Sequence, residues 1–251
     1  MTANDAAGNQ RGTEWSTYDD FASGDLSRWS TLEVPLGAEV RRHEEPNEIV
    51  RVAGGAEVDV PRFSLRFDGS HMLDDPKHAY VSRALFALPD HGTARFAVEM
   101  SAQSHHGNAH DFRDGVAIFN VVNMSTGTVF DFATSGERIW ALHEQLPLPN
   151  VAPENAFTYL IEAPFAGTRS APGHSNQYVI ELDTDQPRAR WFVDGKLTYT
   201  VTLDQLPDRV GLGFGLFTLH PQAHGRSTSI RGQGMRGAWR SFRFANARQL
   251  D

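Results

Sequence analysis

The chain has 251 residues and no cysteine, so it is long enough to bury a sizeable core and must do so without disulfides or thiolate chemistry. Its hydrophobic content of 40% and charged content of 22% are ordinary for a soluble globule, and no apolar run approaches the roughly 18–20 residues of a spanning helix. A formal net charge of -8 and a pI near 5.7 argue against nucleic acid and anionic membrane as partners.

Residues 1–14 are small and polar and carry no apolar stretch of the kind a secretory leader needs. They predict a disordered tail and a cytoplasmic protein, with 15–251 folding as one domain. The folded part opens on Tyr18-Asp19-Asp20-Phe21 and Trp29. Val34 to Val60 reads as short strands broken at Pro46-Asn47 and Gly54-Gly55, and Arg62–Phe67 as another short strand. Strands are expected at Tyr80–Leu88 and Thr93–Gln103, then a polar loop, Ser104–Asp114. Three consecutive antiparallel strands follow: Gly115–Asn123, Thr128–Thr134 and Glu137–Glu144. They are joined by a loop at Met124–Gly127 and a two-residue turn at Ser135-Gly136, although Ile139–Glu144 taken alone would also suit a helical turn. Further strands are expected at Phe157–Ala163, Tyr178–Asp183, Arg188–Val193, Leu197–Leu203, Val210–Leu219 and Gly237–Phe244, with Asp194-Gly195 a hairpin turn. No helix longer than two turns and no internal repeat is visible. This pattern predicts an all-β sandwich.

Turn lengths fix which side chains share a face, because residues directly opposite in an antiparallel pair point the same way. The first loop sets Phe119 opposite Phe132 and Val121 opposite Phe130. The two-residue turn sets Phe132 opposite Ile139 and Phe130 opposite Ala141. One face is then apolar throughout, while the other carries Asn120, Asp131 and Trp140 in a row with Arg138 and Glu144 nearby. An amide, a carboxylate, a guanidinium and an indole together suit a binding face, with Trp140 to stack and the others to hydrogen-bond; an Asp–Arg pair shielding a partly exposed Trp is the plainer account.

On the strand from Val210, Gly211, Gly213 and Gly215 share one face. Three bare positions are costly in a strand and imply a close approach there, by a ligand or by a large neighbouring side chain. The loop Ser104–Asp114 holds His105, His106, His110 and Asp111, whose spacing matches no strong metal motif. It reads as a solvated loop, or alternatively as a lid supplying an acid–base histidine, and no metal or other cofactor is expected. His143 points away from the Trp140 face. His220 follows the glycine strand in a loop with Arg226 and Arg231 that could flank a cleft.

Three stretches carry a resemblance. Asp19-Asp20-Phe21 with Gly24 and Trp29, the hairpin QYVIELDTDQPRARWFVDG at 177–195, and Gly234–Phe244 resemble the opening strand, the Trp-x-Val-Asp-Gly hairpin and the closing strand of concanavalin A-like jelly rolls. Laminarinase-type glycoside hydrolases and keto-glycoside-cleaving domains have this fold. The chain is also similar to an uncharacterised bacterial family with the same expected fold. The resemblance implies a jelly roll with a curved inner sheet. The laminarinase type places nucleophile, assisting Asp and acid in a Glu-x-Asp-x-x-Glu strand; that pattern is absent here.

The sequence therefore leads to an enzyme acting by acid–base chemistry on a sugar-containing or polycyclic small molecule: a lyase, cyclase or hydrolase. Asp131 and Glu144 are its candidate catalytic pair, and Asn120, Arg138, Trp140, Gly213, Gly215 and His220 line its substrate site. The alternative from the same face is a non-catalytic carbohydrate-binding module with a glycan ligand.

Overall fold

The computed structural model describes residues 14–36, 39–68, 76–148, 150–163 and 166–250. The tail expected over 1–14 thus lies outside the described residues apart from Glu14. The strands in chain order are β1 (Ser16–Asp19), β2 (Trp29–Thr31), β3 (Glu33–Leu36), β4 (Glu39–Arg42), β5 (Ile49–Val52), β6 (Ala56–Val60), β7 (Pro76–Ser82), β8 (Leu85–Ala87) and β9 (Thr93–His105). They continue as β10 (Val116–Asn123), β11 (Thr128–Thr134), β12 (Ile139–Gln145), β13 (Phe157–Glu162), β14 (Asn176–Asp183) and β15 (Arg188–Val193). The last four are β16 (Lys196–Thr202), β17 (Arg209–Phe217), β18 (Gly234–Ala245) and β19 (Arg248–Leu250). A 3₁₀ turn spans Pro153–Asn155.

Two large antiparallel sheets result. The first runs β16-β15-β14-β9-β18-β6-β5, with β1 also on β18. The second runs β13-β12-β11-β10-β17-β7-β2, and β8 and β19 extend it from β17. Period-two patterning makes the layers. Phe96, Val98 and Met100 on β9 and Tyr178, Ile180 and Leu182 on β14 turn inward from the first sheet. Phe119, Phe130, Phe132 and Phe214 turn inward from the second, and all are buried in one core. Two indoles tie the layers together. Trp191 Nε1 donates to the Asp131 carbonyl at 2.8 Å, and Trp239 Nε1 to the Ile118 carbonyl at 3.0 Å. Gly237 has no Cβ because the Trp239 ring occupies that space. The opening motif is built the same way: the Asp19 carboxylate accepts the Phe21 amide at 2.8 Å and the Trp29 indole N–H at 2.7 Å.

Most predicted strands fall where expected, and the Asp194-Gly195 hairpin has the positive φ values, 49° and 75°, that its turn demands. Three differences have physical causes. Arg62–Phe67 forms no strand; its Ser64 and Leu65 amides are spent on the buried Glu45 carboxylate. Tyr80–Leu88 is two strands, parted where the Ser82 hydroxyl donates to the Ala84 carbonyl at 2.7 Å.

The third difference is the turn between β11 and β12, which spans Ser135–Arg138 rather than two residues. Ser135 Oγ accepts the amides of Glu137 and Arg138, and the Ser135 amide donates to the Arg138 carbonyl. The register therefore slips by two: Phe132 faces Ala141 and Phe130 faces His143, not Ile139 and Ala141. An even slip leaves every side chain on its predicted face.

Gly215 answers the question of the bare strand. A Cβ there would run into the His78 carbonyl and the Ala79 Cα of β7, so the close approach is by the neighbouring strand. Gly215→Ala should cost about 1–3 kcal/mol by overpacking, read as a lower denaturation midpoint. An unchanged midpoint would mean that β7 yields.

Candidate functional site

The outer face of the second sheet is set by register. Asn120 on β10 lies opposite Asp131 on one side and Gly213 on the other. The pairing of Asn120 with Asp131 is the one the sequence predicts. Asn120 Nδ2 donates to Asp131 Oδ2 at 2.6 Å, and Asp131 is 3% exposed. A Cβ at Gly213 would sit 3.1 Å from Asn120 Oδ1, so the glycine makes room for the amide rather than for a ligand.

Glu144 on β12 lies opposite Val129 and so is a diagonal neighbour of Asp131 on the same face. Burial pushes its carboxyl above the usual carboxylate range, while a hydrogen bond from Thr158 Oγ1, at 2.6 Å, acts in the other direction. Across the face, Asn120, Asp131 and Glu144 line a cleft of about 120 Å³, walled by Leu32 and Val34, Pro147 and Leu148, and Phe217. Two carboxyls, one of them with its pKa raised by burial, thus share an apolar enclosure with an amide.

Other predicted members lie elsewhere. Trp140 is on the predicted face but pairs with Ala133, one step along the sheet from Asp131, and is 4% exposed. It packs with Ile118, Leu142 and Leu219 in a second apolar cluster, and Phe112 meets it edge-on at 6.0 Å. It is therefore part of a core rather than a stacking platform. Trp140→Ala should destabilise the fold by about 3–5 kcal/mol in chemical denaturation; full stability with weakened ligand binding would restore the stacking role.

Arg138 stands in the Ser135–Arg138 turn, outside the cleft, paired with Glu162 at 2.6 Å and with His110 Nδ1 at 3.0 Å. Gly215 is covered by β7, as described. His220 is 2% exposed and bonded through Nε2 to Asp114 Oδ1 at 3.0 Å, at the loop end of the sandwich and away from the cleft walls. The histidine loop is similarly engaged: His105 with Asp59 at 2.8 Å and His110 with Glu137 at 3.0 Å. Among the described residues no group of three or more His, Cys, Asp or Glu is arranged to hold a metal. His143 faces the core as predicted, stacked on Phe130 with ring centroids 5.5 Å apart.

Sequence reasoning missed Thr158 and the walls Leu32 and Val34. Thr158 was within reach, since it lies directly across from Glu144 on β13. The walls come from the other end of the chain and carry no local signal.

The fold has counterparts among solved structures. An endo-1,3-beta-glucanase from Streptomyces sioyaensis matches with a TM-score of 0.57 at 14% identity, covering 96% of this chain and 99% of that one. A Crh5 transglycosylase in complex with NAG matches with a TM-score of 0.51 at 16% identity, over 93% and 83%. The carbohydrate recognition domain of Emp47p matches with a TM-score of 0.50 at 12% identity, over 95% and 99%. At such identities the likeness establishes the fold, which is the expected concanavalin A-like jelly roll. No curated protein matches the chain in sequence. Residues 18–248 match a family of unknown function (DUF6081).

Proposed function

We infer that this chain, which belongs to the DUF6081 family, is an enzyme that performs cofactor-independent acid–base chemistry on a sugar-containing or polycyclic small molecule in the cleft of its second sheet. The observation that carries this reading is Glu144: a carboxyl raised by burial, facing the same cleft as the Asn120–Asp131 pair. A carboxyl whose burial favours the neutral form holds its proton to higher pH than an ordinary glutamate and can give it up in the transition state. Asp131 is the complementary group. Asn120 donates to one of its oxygens and so fixes the carboxylate as an acceptor beside the substrate. The reaction then moves a proton to Asp131, from a substrate C–H or O–H in a lyase or cyclase or from the attacking water in a hydrolase, and another from Glu144 to the substrate oxygen whose bond to carbon breaks or which takes up the charge.

A retaining mechanism with both carboxylates on one strand is not part of the proposal. The positions flanking Asp131 on its face of β11 are Val129 and Ala133. Glycan-active or glycan-binding names among proteins of the same fold support a carbohydrate-bearing substrate.

The test is turnover of a panel of aryl glycosides and laminarioligosaccharides by the wild type, Glu144→Gln and Asp131→Asn, with products read by mass spectrometry. Conversion by the wild type that is lost in both variants supports the enzyme. Binding by all three without conversion of any compound would leave a carbohydrate-binding module in its place.

A further inference from the structure

Beside the carboxyl-bearing cleft lies a larger lobe of about 910 Å³, and the two share Leu32, Val34, Val81, Val122, Met124 and Leu148 as walls. Neither Asp131 nor Glu144 reaches this second lobe. We propose that the second lobe binds the apolar body of an amphipathic small molecule whose polar end lies at Asn120, Asp131 and Glu144; this rests on the functional reading above and names the ligand class.

Three observations point there. The first is Gly211, which lines the lobe. Unlike Gly215, it is not demanded by packing: a Cβ would meet Ser82 Oγ at 3.5 Å and Leu85 Cδ2 at 3.6 Å, ordinary contacts. A bare strand position carries an entropy cost relative to Ala, and here its effect is to leave the lobe open. The second is exposure. Met124 and Leu85 are 47% and 40% exposed, and both side chains border this lobe. Large apolar side chains gathered at one opening mark a surface that another apolar body covers.

The third is that Ser82, Asn123 and Asn150, three of the polar residues around the lobe, turn their side chains to the protein's own backbone, while the charged side chains Glu33 and Arg209 also border it. Ser82 Oγ donates to the Ala84 carbonyl and accepts the Leu212 amide. Asn123 donates to the Arg209 carbonyl and accepts the amides of Ser125 and Thr126. Asn150 donates to the Ser125 carbonyl. These three side chains offer little to the rim of a sugar ring, whereas an apolar body of drug size fits the volume and needs no hydrogen bonds from them.

The experiment titrates the neutral fused-ring probe N-phenyl-1-naphthylamine into the full chain and follows its fluorescence, with laminaritetraose as competitor. Saturable, blue-shifted binding is expected, untouched by laminaritetraose. Gly211→Leu should weaken it at least about tenfold by filling the lobe. Met124→Asp changes an exposed residue, so it leaves the fold intact, and it should weaken binding likewise. Asp131→Asn should leave dye affinity unchanged, because Asp131 lines only the first cleft. Dye binding thus reads the lobe and turnover reads the acid–base pair, so that failure of one is distinguishable from failure of the other. Non-saturable binding, displacement by laminaritetraose, wild-type affinity in both lobe variants, or loss of binding in Asp131→Asn would each overturn the assignment.

Discussion

Lowering the pH from 6.5 to 4 should remove several kcal/mol of stability. His78 and His143 are buried, and burial pulls each ring from its ordinary 6.5 to about 4. His143 lies against Phe130, Phe157 and Trp191, while His78 accepts the Glu45 amide and meets the Tyr80 hydroxyl at 3.1 Å. Both stay neutral in the fold while the unfolded chain takes up protons below 6.5, so their contribution is full above 6.5 and is lost as pH falls toward 4. At about 1.4 kcal/mol per pH unit the interval is worth roughly 3 kcal/mol for each ring, and the two together approach the stability of an ordinary domain. Glu144 acts oppositely: its raised carboxyl favours the fold while protonated, and that contribution is lost as pH rises through its folded value. His143→Phe, which keeps a ring against Phe130, should roughly halve the acid dependence in denaturant titrations at several pH values. An acid limb identical to the wild type would remove His143 from the account.

Asp131→Asn should lower turnover by roughly 10²-fold or more if Asp131 moves a proton. The substitution is nearly isosteric, and its amide oxygen can still accept from Asn120 Nδ2, so the fold should hold. The assay is therefore kcat measured beside a thermal melt. If the protein only binds, affinity weakens and no rate is lost. The pH profile adds a separate reading, because activity that needs Glu144 protonated must fall as pH rises through its raised value. Full turnover in Asp131→Asn would end the proton-transfer role of that residue.

The sandwich was legible because its strands announce themselves by alternation and its turns by Gly and Asn. The pairing of Asn120 with Asp131 followed from one loop, Met124–Gly127, whose length the sequence states and whose geometry Asn123 enforces by accepting two amides. The second turn was misjudged because its closure depends on the Ser135 side chain, which a count of turn residues does not register. Trp140 was placed on the correct face and given the wrong surroundings. Its cover, Phe112 and Leu219, lies in segments whose approach to the sheet is a long-range matter. The large lobe was invisible for the same reason, since its walls are drawn from residues as distant as Leu32 and Leu212.

Trp191 grips Asp131 by its carbonyl and ignores its side chain. Position and chemistry at residue 131 are therefore inherited separately. The backbone address is written by an indole in the opposite layer, and the side chain that occupies the address is held separately, by Asn120. Asp131→Asn keeps the carbonyl that Trp191 holds and alters the group that faces the cleft, while a change at Trp191 removes the bond to that carbonyl and leaves the carboxylate itself in the sequence. In a jelly roll wired in this way, the frame of the cleft and the groups that line it are fixed by separate bonds.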